Sequence, residues 1–157
     1  MTALQEGRPA PDFALPASNG ETVRLSDFRG RNVVLYFYPK DLTPGCTTEA
    51  CDFRDFHPEF EKLNTVVLGV SADPIRRHGK FAGKYGLPFL LLSDEDHKVA
   101  ELYGVWQPKK MFGRELMGIV RSTFVIDAEG RLAASWRQFR VDGHVREVLQ
   151  WIRERLR

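Results

Sequence analysis

Residues 33–38 read Val-Val-Leu-Tyr-Phe-Tyr, a continuous apolar run of β-forming residues that stops at Pro39. A strand with one wet face alternates apolar and polar residues, whereas a run without polar positions suits a strand covered on both faces. The surrounding chain supplies both neighbouring strands and cover. Thr65 to Val70 is a second run of this kind and Phe89 to Leu92 a short third one. Helical patterns fill the intervals, running from about Pro44 to Leu63 with a kink or restart at Pro58, from Pro74 to Tyr85, and from Asp94 to Tyr103.

The ends of the chain have a different pattern. Phe13, Leu15, Val23 and Leu25 alternate around Asn19-Gly20, which predicts a small N-terminal β-hairpin. Leu25 to Phe28 before Gly30 predicts one helical turn. Val105 to Gly118 has mixed character and is expected to be irregular. Ser122 to Ile126 and Leu132 to Trp136 flank Asp127-Ala128-Glu129-Gly130, a hairpin signal, and Gly143 to Leu156 closes the chain as a helix with Val145, Val148, Leu149, Ile152 and Leu156 on one face. Alternating βαβ units predict a parallel sheet and the late hairpin adds antiparallel strands. The expected fold is an α/β, thioredoxin-like sandwich with a central mixed sheet flanked by helices and an N-terminal β-hairpin. At 157 residues, one domain over 1–157 is expected.

A net charge of +2, with basic residues scattered along the chain, argues against nucleic acid as a partner. The first residues lack the basic and apolar regions of a signal peptide, and no apolar stretch approaches a membrane span. The expected location is cytoplasmic, away from membranes, where thiols stay reduced. The chain has two cysteines, Cys46 and Cys51, and in that setting a close pair suggests redox or metal chemistry before a structural staple.

Thr43-Pro44-Gly45-Cys46 is a helix start. Thr43 suits the N-cap and Pro44 the first helical position, where its missing N–H costs nothing. Cys46 then falls at the third position, where a capping box would place an anion, and the free amides and the positive end of the helix dipole favour a thiolate there. Pro39 ends the strand and can shield that thiolate from water. Taken in isolation, two helical cysteines are as readily small core residues. A zinc site needs four ligands and only His57 is near in sequence, while His57, His78, His97 and His144 carry no hydrolase signature and are expected at the surface or at caps. Glu49, Asp52, Arg54 and Asp55 are of the kind that faces water, with Glu49 a first-turn dipole partner by default. Arg121 alone is a solvated strand-edge arginine.

The string Pro39-x-x-x-Thr43-x-x-Cys46 resembles the active-site motif of the peroxiredoxins. The longer string from Tyr36 to Cys51 is similar to the peroxiredoxin Q branch, also called bacterioferritin comigratory protein. The resemblance extends over nearly the whole chain, through Ala10-Pro11-Asp12-Phe13, Leu25-Ser26-Asp27-Phe28, Lys109-Lys110-Met111 and Gly118 to Asp127. It implies a thiol peroxidase acting on hydrogen peroxide and organic hydroperoxides. In that reading Cys46 is the peroxidatic cysteine that becomes a sulfenic acid, and Cys51 is the resolving cysteine that closes an intrachain disulfide. Thioredoxin or a similar dithiol protein reduces that disulfide. Arg121 sits beside the thiolate, Thr43 hydrogen-bonds the peroxide and Glu49 helps to orient the arginine. No cofactor or metal is implied, and a monomer is expected. The alternatives are a thiol–disulfide oxidoreductase, for which Cys-x-x-Cys spacing is usual, and a non-enzymatic redox sensor.

A disulfide between Cys46 and Cys51 conflicts with the helix that carries them. Five residues of ideal helix separate the Cα atoms by roughly 8.7 Å, beyond the approximately 7 Å that a disulfide spans. If the two pair, the helix must unwind locally.

Overall fold

The computed structural model of the protein describes residues 4–156, with only the backbone described at Met111. The first three residues of the N-terminal stretch discussed above lie outside it. Five strands form the central sheet: β3 (Asn32–Phe37), β4 (Thr65–Ser71), β5 (Leu90–Ser93), β8 (Ser122–Ile126) and β9 (Leu132–Arg137), in the order β5-β4-β3-β8-β9. The β3–β4 and β4–β5 pairs are parallel, and β8 runs antiparallel to both β3 and β9. The mixed sheet expected from the sequence is therefore present, as is the N-terminal hairpin of β1 (Ala14–Pro16) and β2 (Thr22–Arg24).

The central strand explains why the run at 33–38 has no polar residue. Val33, Leu35 and Phe37 belong to one core layer, with Phe13, Leu15 and Val23 of the hairpin and Val99 and Ala100 of the short helix α4 (Lys98–Leu102). Val34, Tyr36 and Tyr38 belong to the other layer. Its cover comes from Phe53 of α1 (Pro44–Asp55), Phe60 of α2 (His57–Lys62), Phe81 of α3 (Ile75–Tyr85), and Val145, Val148, Leu149 and Ile152 of α5 (His144–Arg155). The side-chain period of two sends alternate residues of β3 to opposite layers, and both layers are apolar.

Several expectations need correction. The segment from Val105 to Gly118 is not irregular: β6 (Trp106–Met111) and β7 (Arg114–Ile119) pair antiparallel as a separate two-stranded sheet. Its turn uses Phe112 and Gly113, both at positive φ, without the Asn-Gly signal that usually marks such a turn. The strand residues Lys109, Arg114, Glu115 and Leu116 are polar or exposed, so no apolar alternation marks them. The restart expected at Pro58 is present, by contrast: the helical pattern from Pro44 divides at Phe56, and α2 carries Pro58 in its first turn, where proline is tolerated. The helix expected from Asp94 begins only at Lys98, because His97 has φ 51° and the Asp94 carboxylate accepts the Val99 and Ala100 amides from outside. The residue at the N-cap of α3 is Pro74. Just upstream, Ser71 and Asp73 bond each other.

Candidate active site

Thr43 occupies the N-cap position of α1 with Pro44 in the first turn, so Cys46 is at the third helical position. The first amides of that turn have no partner inside the helix. The Thr43 side chain does not cap them. Its Oγ1 donates instead to the Lys40 carbonyl at 2.8 Å. With its proton committed there, Oγ1 offers the space above Cys46 only lone pairs.

Strand pairing delivers Arg121 to the same place. Phe37 is paired with Ser122, so the residue preceding β8 arrives at the end of β3, next to the turn that begins at Pro39. Arg121 Nη2 donates to Cys46 Sγ at 3.3 Å and Nη1 donates to Glu49 Oε1 at 2.6 Å. Gly45 leaves room for this: a Cβ there would stand 3.3 Å from Nη2, so any side chain would press on the guanidinium. Burial opposes the arginine's charge, but Glu49 and Cys46 outweigh it and hold the guanidinium more firmly protonated than usual.

Glu49 is fully buried, which corrects its placement among the water-facing residues of α1. Burial pushes its carboxyl up to about 7, against the pull of Arg121 toward ionisation. Its Oε2 and the nearby Tyr36 hydroxyl are buried without hydrogen-bond partners among the described residues. Arg121 is thus the hydrogen-bond partner that fixes Glu49.

The site opens into a cavity of about 450 Å³. Pro39, Thr43, Cys46 and Arg121 form its polar end. Trp106, Leu116, Met117 and Ile119 of the β6–β7 hairpin form an apolar wall. Lys109 also lines it and donates to the Ile119 carbonyl at 2.9 Å; partial burial and then Arg121 hold its amine below the usual range. Tyr36, Phe37 and Tyr38 are core residues, and none lines the cavity. The hairpin wall has no signal in the sequence, because its segment lacks periodicity.

Cys46 is buried and Cys51 half-buried, both as free thiols, with α1 unbroken between them. Two of the histidines, expected at the surface or at caps, are buried, although His144 also opens α5. His57 and His97 are at the surface or at a helix end, but His78 and His144 are buried, with His78 bonded to Asp41 and His144 to Thr123. Burial and then Arg121 push the His144 ring down to about 4. Among the described residues no group of His, Cys, Asp and Glu could hold a metal ion, and no helix is long and apolar enough to cross a membrane.

Residues 7–135 match the AhpC/TSA family. A curated relative, peroxiredoxin Bcp of Bacillus subtilis, is 57% identical over 151 residues, 96% of each chain. The chain belongs to the AhpC/TSA family, in its peroxiredoxin Bcp branch. Peroxiredoxin Bcp of Escherichia coli is 46% identical over 154 residues, 98% of this chain and 99% of the other. The peroxiredoxin fold is equally plain. A solved bacterioferritin comigratory protein of Xanthomonas campestris, described for its alkyl peroxide reduction activity, superposes with a TM-score of 0.91 at 38% identity, covering 98% of this chain and 100% of the other. BcpB of Mycobacterium tuberculosis superposes at 0.86 with 37% identity, covering 97% of this chain and 98% of its own. As a peroxiredoxin the protein is a thiol peroxidase, and the oxidoreductase and sensor readings give way to that one.

Proposed function

We propose that Cys46 is the peroxidatic cysteine of a thioredoxin-dependent peroxidase and that Cys51 resolves it. The observation that carries this reading is the Arg121 guanidinium at 3.3 Å from the Cys46 sulfur, in a cavity that Trp106, Leu116, Met117 and Ile119 also line. A cation and the first-turn amides of α1 are the groups that stabilise negative charge on a sulfur. The thiolate attacks the terminal peroxide oxygen, the S–O bond forms as the O–O bond breaks, and the leaving alkoxide or hydroxide takes up a proton. Arg121 stabilises the charge that moves onto that oxygen, which is where fixed donors lower a barrier most. The Thr43 hydroxyl, its own proton on Lys40, accepts from the peroxide O–H and sets its approach. Pro39 limits water at the sulfur, and Glu49 orients Arg121.

The Cys51 thiol loses its proton and its sulfur attacks the sulfenic acid sulfur of Cys46; the S–S bond forms as the S–O bond breaks, and the leaving hydroxide takes up a proton to become water. A dithiol reductant of the thioredoxin type restores both thiols by exchange. The apolar wall of Trp106, Leu116, Met117 and Ile119 suits the alkyl group of an organic hydroperoxide as well as hydrogen peroxide. A cytoplasmic monomer made of one domain fits these properties.

Stopped-flow oxidation of the reduced protein by hydrogen peroxide, followed by mass analysis, tests the scheme. One equivalent of peroxide should yield a Cys46–Cys51 disulfide, and Cys46→Ser should abolish turnover with thioredoxin. Turnover that survives Cys46→Ser overturns it.

A further inference from the structure

We infer that Asp41, held by His78 and Asp73, is a positioning residue that aims the Thr43 hydroxyl at the peroxide through the Lys40–Asp41 peptide. The inference rests on the assignment of Thr43 to peroxide binding above. Asp41 is fully buried, two residues before Thr43, and each of its polar atoms is engaged. Its Oδ1 accepts from the Tyr38 hydroxyl at 2.5 Å and its Oδ2 lies 2.6 Å from His78 Nδ1. Its backbone N–H donates to Asp73 Oδ2 at 2.8 Å, and its carbonyl accepts from Arg77 Nη2 at 3.3 Å.

The partners come from three elements. Tyr38 follows β3, Asp73 lies in the loop after β4, and Arg77 and His78 belong to α3. His78 is fixed in turn at its far side, where Nε2 lies 2.9 Å from the Leu92 carbonyl of β5. A carbonyl can only accept, so Nε2 donates there, and a second proton lies between Nδ1 and Asp41 Oδ2. Buried carboxylates are tolerated only when fully bonded, and Asp41 meets this condition with groups from across the fold.

The next two residues make this cluster more than a loop anchor. Leu42 has φ 66°, a conformation uncommon for a bulky side chain, so the chain turns sharply as soon as it leaves Asp41. Thr43 follows and donates its hydroxyl proton to the Lys40 carbonyl. That carbonyl and the Asp41 N–H are the two ends of one planar peptide unit. The N–H is tied to Asp73, so the direction of the C=O is set as well, and with it the side of Thr43 Oγ1 that carries free lone pairs. Asp41 and its partners line no part of the cavity, so their effect on peroxide must pass through Lys40 and Thr43.

The test compares two reactions of Cys46 at one pH. One is oxidation by hydrogen peroxide, which uses Thr43, and the other is alkylation by iodoacetamide, which does not. Asp41→Ala should slow oxidation roughly 100-fold, the scale of an ångström-level misplacement, and leave alkylation unchanged. Asp41→Asn keeps an acceptor for Tyr38 and can donate to His78 Nδ1, and should restore most of the loss. The double variant Asp41→Ala, Thr43→Val should be no slower than Thr43→Val alone. Full oxidation rate in Asp41→Ala, a parallel fall in alkylation, or losses that multiply in the double variant would each overturn the inference. Should Asp41→Ala fail to fold, Asp73→Ala frees the same peptide and is held to the same outcomes. A Thr43→Val protein that oxidises at the full rate overturns instead the assignment of Thr43 on which the inference rests.

Discussion

The Arg121 guanidinium stands 3.3 Å from the Cys46 sulfur although 75 positions separate them in the chain. Its other arm reaches Glu49, three residues along the same helix as Cys46. One side chain therefore links a reactive sulfur to a buried acid, and the properties of the three residues are not independent.

Arg121→Ala should slow oxidation of Cys46 by hydrogen peroxide by about 10²–10³, the scale for removal of one donor aimed at developing charge. Stability should change far less, because Glu49 can take up a proton when its partner is gone. Stopped-flow rates and urea midpoints measure the two effects. Equal peroxide kinetics in the variant would remove Arg121 from the site.

Glu49 makes the fold sensitive to pH in a defined direction. Its carboxyl goes from an ordinary 4.5 in the unfolded chain to about 7 in the fold, because of burial. Between these values the folded protein holds a proton that the unfolded chain has released, so stability falls as pH rises through this window. Below it both states are protonated and the loss is absent. Glu49→Gln carries no such proton. Relative to wild type, the variant should gain on the order of 2–3 kcal/mol at most between pH 5 and pH 8, at about 1.4 kcal/mol per pH unit. A stability difference between the two proteins that does not move with pH would count against it.

Helix α1 runs unbroken from Pro44 to Asp55 with both cysteines on it. Ideal helix geometry keeps their Cα atoms roughly 8.7 Å apart, so a disulfide requires the helix to open. Amide hydrogen exchange across residues 44–55 should accelerate on oxidation. Equal protection in both redox forms would show that the disulfide forms without unwinding.

The hairpin wall should select among peroxides. Leu116 and Met117 are about half exposed and line the cavity, so replacing them disturbs little of the core. The Leu116→Ser, Met117→Ser variant should lose about tenfold in its rate with cumene hydroperoxide relative to hydrogen peroxide, the scale of lost apolar contact with a substrate. An unchanged ratio of the two rates would exclude the wall from substrate binding.

Much of this protein is written in local patterns. The run at 33–38 requires cover on both faces, and the observed sheet has an apolar layer on each side of β3. The Thr43-Pro44 start places Cys46 at the third helical position, because caps and proline geometry act over a few residues. The motif around Cys46 also carries the resemblance to the peroxiredoxins. These features depend on backbone periodicity and on near neighbours, which a sequence displays directly.

Other features required the chain to be folded. Arg121 reads as a solvated arginine until the pairing of Phe37 with Ser122 brings it to the end of β3. Glu49 reads as a surface acid until that arginine supplies a partner that makes its burial tolerable. Asp41 stands inside the recognised motif, but its bonds to His78 and Asp73 join residues more than thirty positions apart. The β6–β7 hairpin gives no periodic signal, since both of its faces are largely polar or exposed. The sequence by itself determined the strands of the central sheet, the helix start and the thiol. The packing of distant segments decided the charges around that thiol, because electrostatic and hydrogen-bond partners are chosen by proximity in space.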